Sequence, residues 1–169
     1  MKYKFWVVGV ASAAIFFVTS ARSQVYLHGQ GLPLVLATQA ANVALQQCAK
    51  KGFPVSVAVV DPSGQMRVFL KSDQATVHTK DASFRKAYTI VTFGPIFNLE
   101  HSSALAEKFR ANPSGAAFAG IPDVLLLPGG AVVRSGSEVV GAVGVSGSPD
   151  GMEDEACAQA GVDAIRSKF

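Results

Sequence analysis

Three isolated histidines carry most of the reactive chemistry in this sequence: His28, His78 and His101. A neutral imidazole is a common metal ligand and titrates close to physiological pH. His78 opens a helical pattern in which Arg85 follows seven residues later, so the two side chains fall on nearly the same stripe of a helix. With Lys86 beside Arg85, that face could present one ligand atom together with cations.

Each histidine also has a simpler interpretation, because a lone histidine is more often structural or solvent-exposed than a ligand. His101 stands near the start of a short predicted helix and has Leu105 one turn later, as a half-buried structural histidine would. His28 lies in an N-terminal arm, free to reach a partner subunit or free to be disordered.

Four acids follow the last strand pattern: Asp150, Glu153, Asp154 and Glu155. Their oxygens could hold a hard or ferric cation. The alternative is a solvent-exposed helix start. There each carboxylate would stabilise the helix by roughly 0.3 to 1 kcal/mol through its interaction with the positive end of the helix dipole.

Glycines ahead of these acids exclude one class of site. Gly141, Gly144 and Gly147 are spaced three apart, whereas a dinucleotide fingerprint needs G-x-G-x-x-G. No Gly-Lys-Ser/Thr occurs, which excludes a P-loop. Glycines within a strand often mark close approach, so Gly144 and Gly147 indicate where a flat ligand or a neighbouring chain could meet the sheet.

Catalytic motifs are weak. Ser63 and Ser146 stand beside glycines without forming G-x-S-x-G, and no histidine and aspartate are placed to activate them. Asp61 ends a core strand and could act as a base, but the following Pro-Ser-Gly makes it a turn former. The sequence therefore favours binding over catalysis.

The elements that must position these residues form a mixed pattern of hairpins and helix blocks. Apolar, β-branched runs between turn signals predict five strands, and 3.6-residue periodicity predicts the helices. The predicted strands are 55–60, 65–70, 124–127, 131–134 and 138–146, and the helices are 34–51, 76–94, 102–110 and 152–168. Gly94-Pro95 is expected to end the second helix.

This arrangement predicts one α+β domain, with a mainly antiparallel sheet packed against helices. Because the strands are apolar on both faces, helices or another subunit should cover the second face as well.

The first residues have the layout of a signal peptide. Lys2 and Lys4 precede an apolar run, Phe5–Val18, that is shorter than a bilayer span, and small residues follow. We expect cleavage after Ser23 and a periplasmic or secreted protein with an arm at 24–33 and a domain at 34–169. A retained N-terminal anchor is the alternative.

Loss of residues 1–23 removes Lys2, Lys4 and Arg22, which leaves 12 of the 15 basic residues against 12 acidic ones. The sequence pI of about 9.0 therefore belongs to the leader. No basic surface interleaved with aromatic residues remains, which argues against nucleic-acid binding.

Cys48 and Cys157 are the two cysteines, one near each end of the mature chain. An oxidising compartment would allow them to pair if their helices are neighbours. Two buried free thiols are an equally good interpretation.

Three ordered motifs resemble the GlcG/HbpS family of haem-binding proteins: "VSVAVVDPSGQMRVF", "DASFRKAYT" and "LPGGAVVRSGSEVVGAVGVSGSPDGMEDEACAQAG". The resemblance covers nearly the whole mature domain, from Leu34 to about Ile165. It implies a compact layered domain that assembles into dimers or higher oligomers, often octamers. Exported members bind haem and are linked to haem or redox sensing, and a similar domain is fused to some cobalamin adenosyltransferases.

For this chain the resemblance implies a haem carrier, buffer or redox-sensing accessory protein, with a membrane sensor as a potential partner. His78, His28 and His101 are then candidate ligands of the haem iron, and Arg85 and Lys86 candidate partners of the propionates. Other members are encoded near glycolate-utilisation genes, so an enzyme or accessory protein of small organic acid catabolism is the alternative. A self-assembling scaffold is a third possibility.

Overall fold

A computed structural model describes residues 31–169 of the chain, so the predicted leader, most of the arm and His28 lie outside the described residues. Four strands form one antiparallel sheet in the order β2-β1-β4-β3. The strands are β1 Ser56–Val60, β2 Met66–Lys71, β3 Gly130–Ser135 and β4 Glu138–Ser146. The helices are α1 Leu34–Lys50, α2 Thr79–Phe97, α3 Ser102–Arg110, α4 Gly115–Ala119 and α5 Gly151–Arg166.

Helices cover both faces of the sheet, which confirms the predicted α+β architecture. Helices α1 and α5 pack on one face, and α2 packs on the other across β1, β3 and β4. All five residues of β1 are buried. Alternate residues Val57 and Val59 enter the core under α1 and α5, whereas Val60 contributes to the core under α2.

The hairpin from β1 to β2 forms as the turn residues predict. Asp61 accepts hydrogen bonds at Oδ1 from the backbone N–H groups of Ser63 (2.9 Å) and Gln65 (3.0 Å). Gly64 takes a positive φ of 76°, which the turn requires and which favours glycine. Asp61 is thus used as a turn former.

The predicted fifth strand, 124–127, is wrong. Backbone groups of this segment are hydrogen-bonded to side chains of α2 instead of to a strand: Arg85 Nη2 donates to the Val124 carbonyl (2.6 Å), and the Leu125 N–H donates to Thr89 Oγ1 (2.8 Å). The run is apolar because Val124 is buried beside α2 and α3, not because it belongs to the sheet. Residues 124–130, which run from this segment to the first residue of β3, are called the strap below.

The helices also differ from prediction, most clearly at the end of α2 and at α4. Helix α2 continues past Gly94-Pro95 to Phe97, and Asn98 ends it in the left-handed conformation (φ 52°). A proline removes one helical hydrogen bond without obliging the helix to stop when packing continues beyond it. The short helix α4, Gly115–Ala119, lies where the sequence predicts no helix.

A disulfide joins Cys48 of α1 to Cys157 of α5, with Cα atoms 5.7 Å apart and both side chains fully buried. The sequence leaves open whether these two cysteines pair. The two helices approach closely because their contact residues are small: a Cβ added to Gly161 would stand 2.5 Å from the Ala40 carbonyl oxygen. Among residues 31–169, no helix is long and apolar enough to cross a membrane.

Candidate functional site

An open cleft of about 430 Å³ lies between the start of α2, the strap and the turn from β4 into α5. It brings together residues from three separate parts of the sequence. Its lining consists of Thr76, His78, Ala82, Lys86, Leu127, Pro128, Ser146, Gly147, Ser148, Gly151 and Asp154.

His78 stands at the entrance of this cleft, immediately before the first residue of α2. Its side chain is exposed, and its Nδ1 lies 3.2 Å from the Thr76 hydroxyl. Within residues 31–169, no side chain or backbone group is hydrogen-bonded to its Nε2. One imidazole nitrogen is therefore oriented by Thr76 while the other is available to a ligand.

Lys86 and Asp154 form the floor of the cleft as a buried ion pair. Lys86 Nζ lies 2.7 Å from Asp154 Oδ2 and also donates to the Val145 carbonyl at 3.1 Å, and both side chains are at most 5% exposed. The second oxygen of Asp154 accepts from the Ser148 N–H at 2.9 Å. One pair thus ties α2 to β4 and to the turn that leads into α5.

The two glycines predicted to mark close approach have different neighbours. Gly147 lines the cleft with φ 142°, and a Cβ there would stand 2.5 Å from the Pro54 carbonyl oxygen. Gly144 lies under α2, where a Cβ would overlap the backbone carbonyl of Ser83. At Gly144 the approaching backbone is therefore that of α2 in the same chain.

Arg85 and His101 are not among the cleft-lining residues. The guanidinium of Arg85 is bonded to the Val124 carbonyl and supports the strap from α2. His101 Nε2 lies 2.8 Å from Gln159 Oε1 on α5, and its backbone bridges Ala131. Of the predicted site residues, the cleft brings together His78, Lys86 and Gly147, while His28 lies outside the described residues.

The four acids at the start of α5 have different partners. Asp150 caps the helix by accepting from the Met152 N–H (2.9 Å), Glu153 pairs with Lys51, and Asp154 pairs with Lys86. Among residues 31–169, no three acids, histidines or cysteines cluster as a metal site would require. The structure thus gives no support to the cation hypothesis.

Glu155 is buried rather than solvent-exposed. Its carboxylate accepts from the Ser103 N–H (2.9 Å) and hydroxyl (2.5 Å) at the start of α3, and from the Gly129 N–H (3.2 Å). The exposed helix start expected from the sequence is therefore wrong for Asp154 and Glu155, which link α5 to its neighbours. Their spacing from the buried residues Ala158 and Gly161 places them on the buried face of α5, a signal that helical periodicity carries.

Chemically, the cleft combines one available imidazole nitrogen with an apolar wall made by Ala82, Leu127 and Pro128. Its buried lysine is neutralised by Asp154. Such a site can coordinate a metal centre carried by a flat apolar ligand, and its floor offers no free cation within the described residues.

Comparison with known proteins finds a family whose profile, described as "Haem degrading protein HbpS-like", matches residues 32–163. A crystal structure of a double mutant of HbpS from Streptomyces reticuli is 34% identical, covers 92% of this chain and 98% of its own, and superposes with a TM-score of 0.74. Comparison with curated proteins gives no significant match.

Two more distant structures share the fold. The Klebsiella pneumoniae protein ORFY is 23% identical and covers 84% of this chain and 95% of its own, with a TM-score of 0.73. The structure of a PduOC:haem complex is 22% identical, covers 80% and 95%, and has a TM-score of 0.70.

Proposed function

Because the chain belongs to the HbpS-like family, we propose that it binds haem in the cleft between α2, the strap and α5, with His78 as the axial ligand. The observation that carries the assignment to this cleft is the position of His78. Its imidazole is exposed at the cleft with a nitrogen available, whereas His101 is held by Gln159.

The residues of the cleft fit one face of a tetrapyrrole. Ala82, Leu127 and Pro128 offer an apolar contact surface, and Gly147 lines the same cleft. Lys86 is committed to Asp154, so the propionates are expected at the open rim rather than against the floor. A bound haem would supply a redox-active iron, whose reactivity the axial ligand and cleft polarity would tune.

We propose a carrier, buffer or redox-sensing accessory role in the periplasm or outside the cell, after export and cleavage following Ser23. The buried disulfide supports export, because disulfides persist in oxidising compartments. Homo-oligomers from dimer to octamer and a membrane sensor partner belong to the same proposal. Intact mass of the secreted protein tests the cleavage: a mature chain beginning at Gln24 is expected.

A titration of mature protein with hemin tests the central claim. We expect saturable binding at micromolar concentration with a Soret shift, lost or strongly weakened in His78→Ala and unchanged in His101→Ala. Loss of binding in His28→Ala with His78→Ala unaffected would assign the ligand to the arm instead. No saturable binding by the wild type would overturn the proposed function.

The alternative of small organic acid catabolism is tested in the same protein by thermal shift. A specific ligand stabilises a protein by mass action, by about 2.7 kcal/mol at a hundred times its dissociation constant. We expect hemin to raise Tm and glycolate to leave it unchanged. Stabilisation by glycolate alone would favour the catabolic role.

A further inference from the structure

The strap, residues 124–130, is held at its first end by α2. Arg85 Nη2 donates to the Val124 carbonyl at 2.6 Å, and the next residue, Leu125, donates its N–H to Thr89 Oγ1 at 2.8 Å. Neither bond belongs to a strand ladder, so the conformation here depends on two side chains of one helix.

Its second end is fixed by three other elements. The Gly129 N–H donates to Glu155 of α5 (3.2 Å), and the Gly129 carbonyl accepts from the Val145 N–H of β4 (2.8 Å). The Gly130 N–H donates to Ser102 Oγ at the start of α3 (2.8 Å). This end is therefore anchored redundantly.

Between these ends the strap has few ties of its own. The Leu127 N–H makes a local bond to the Leu125 carbonyl (2.9 Å), and Pro128 has no N–H to donate. Leu127 is 50% exposed, and both residues line the cleft. The apolar wall of the cleft is thus the least anchored part of the strap.

The Thr89 side chain connects α2 to the strap close to this wall. Its side chain is fully buried, and its hydroxyl both donates to the Arg85 carbonyl (2.7 Å) and accepts from Leu125, two residues before Leu127. The hydroxyl is used both as a donor and as an acceptor, so its oxygen, together with the Arg85 guanidinium, sets the distance between α2 and the strap.

Resting on the proposed binding function, we propose that Thr89 is a positioning residue: through Leu125 it sets where Leu127 stands against a bound tetrapyrrole. Thr89 is not among the residues lining the cleft and acts only through the strap. The consequence is that the ligand's apolar contact can be tuned from within α2, without changing any cleft-lining side chain.

The test compares Thr89→Val, which keeps the shape but removes the acceptor of the Leu125 bond, with Thr89→Ser, which keeps the hydroxyl. We expect Thr89→Val to weaken hemin binding about tenfold while the spectrum of the bound haem stays that of the wild type. Thr89→Ser should restore most of the affinity. Ser83→Ala, which removes a hydroxyl whose one partner among residues 31–169 is the Lys80 carbonyl of the same helix, should leave affinity unchanged.

A double-mutant cycle with Leu127→Ser distinguishes positioning from general destabilisation. If Thr89 acts through Leu127, Thr89→Val should add no further weakening when Leu127 is already serine. Equal affinity of Thr89→Val and wild type, or full additivity in the cycle, would overturn the proposal.

Hydrogen exchange on the ligand-free protein separates this proposal from the proposed function. Thr89→Val should speed exchange at Leu125 and Leu127 while leaving α5 protected. If the wild type fails to bind hemin, the proposed binding function is wrong. Hydrogen exchange then still tests whether Thr89 positions the strap, and unchanged exchange in Thr89→Val would overturn that claim.

Discussion

Apolar cores lie under the helices on both faces of the sheet, but the contact between α1 and α5 and the contact between α2 and the strap are built by different means. On one face, α1 and α5 meet through small side chains such as Ala40 and Gly161 and are joined by a buried disulfide. On the other, α2 reaches the strap and α5 through polar side chains, Arg85, Thr89 and Lys86. Covalent and close-packed contacts make a fixed layer, whereas hydrogen-bonded contacts hold a cleft whose wall can be adjusted.

The largest expected effect tests the fixed layer. Replacing Cys48 and Cys157 together by alanine opens a closed loop with a sequence separation of 109, and the chain-entropy account gives a loss of about 5 kcal/mol in the free energy of unfolding. Urea denaturation of the oxidised wild type and the double variant measures it. Hemin affinity should stay within twofold, and a large loss of affinity in the folded variant would contradict the separation of the two faces.

A comparable but smaller loss is expected on the cleft side from Lys86→Met, because it leaves Asp154 buried without its cation. We expect about 3 kcal/mol of destabilisation, measured by urea denaturation, together with weaker hemin binding. Combining it with Asp154→Leu should recover most of the stability, since an apolar pair leaves no charge buried. Equal stability of the single and double variants would show that the charge is not the cause.

Gly161→Ala probes the helix contact without touching the disulfide. The added Cβ would stand 2.5 Å from the Ala40 backbone oxygen, so α1 must shift, at an expected cost of about 2 kcal/mol. Thermal denaturation measures this, with Gly31→Ala as the control because a Cβ there meets no atom within 4 Å. If Gly161→Ala is as stable as the wild type, α1 and α5 are packed less tightly than the distance to the Ala40 oxygen indicates.

The smallest effect concerns the start of α5 at the rim of the cleft. Asp150→Ala removes the oxygen that accepts from the Met152 N–H, with an expected loss of about 1 kcal/mol. Asp150→Asn keeps a capping oxygen and should stay within a few tenths of the wild type in the same denaturation assay. If the two variants lose stability equally, the negative charge matters more than the cap.

Local signals predicted the parts of the fold that depend on local chemistry. Asp61 and Gly64 specify the first hairpin, and Gly52, with φ 78°, follows the end of α1, where a glycine is a common helix stop. The apolar run at Val124 is wrongly predicted to be a strand, because its hydrogen-bond partners lie on α2, 36 to 39 residues earlier. No periodicity within the run reports such partners.

The candidate site was predictable to the same extent. The helical stripe predicts His78 and Arg85 on one face, but the cleft is lined by His78 and by Lys86, the neighbour of Arg85, whereas Arg85 itself is bonded to the strap. The sequence does not indicate that Asp154 lies at the floor of the cleft, because its partner, Lys86, is 68 residues away. Pair formation across such separations depends on how the helices pack, which a single sequence does not specify.

The disulfide also has a topological consequence for the cleft. Every residue that lines it, from Thr76 to Asp154, lies between Cys48 and Cys157 and so belongs to one covalent ring. A protease that cuts the ring once, for example in the exposed stretch 111–114 between α3 and α4, opens it without releasing a fragment. A singly nicked molecule would therefore remain one covalent species with its entire cleft, until a reductant reaches the buried sulfurs.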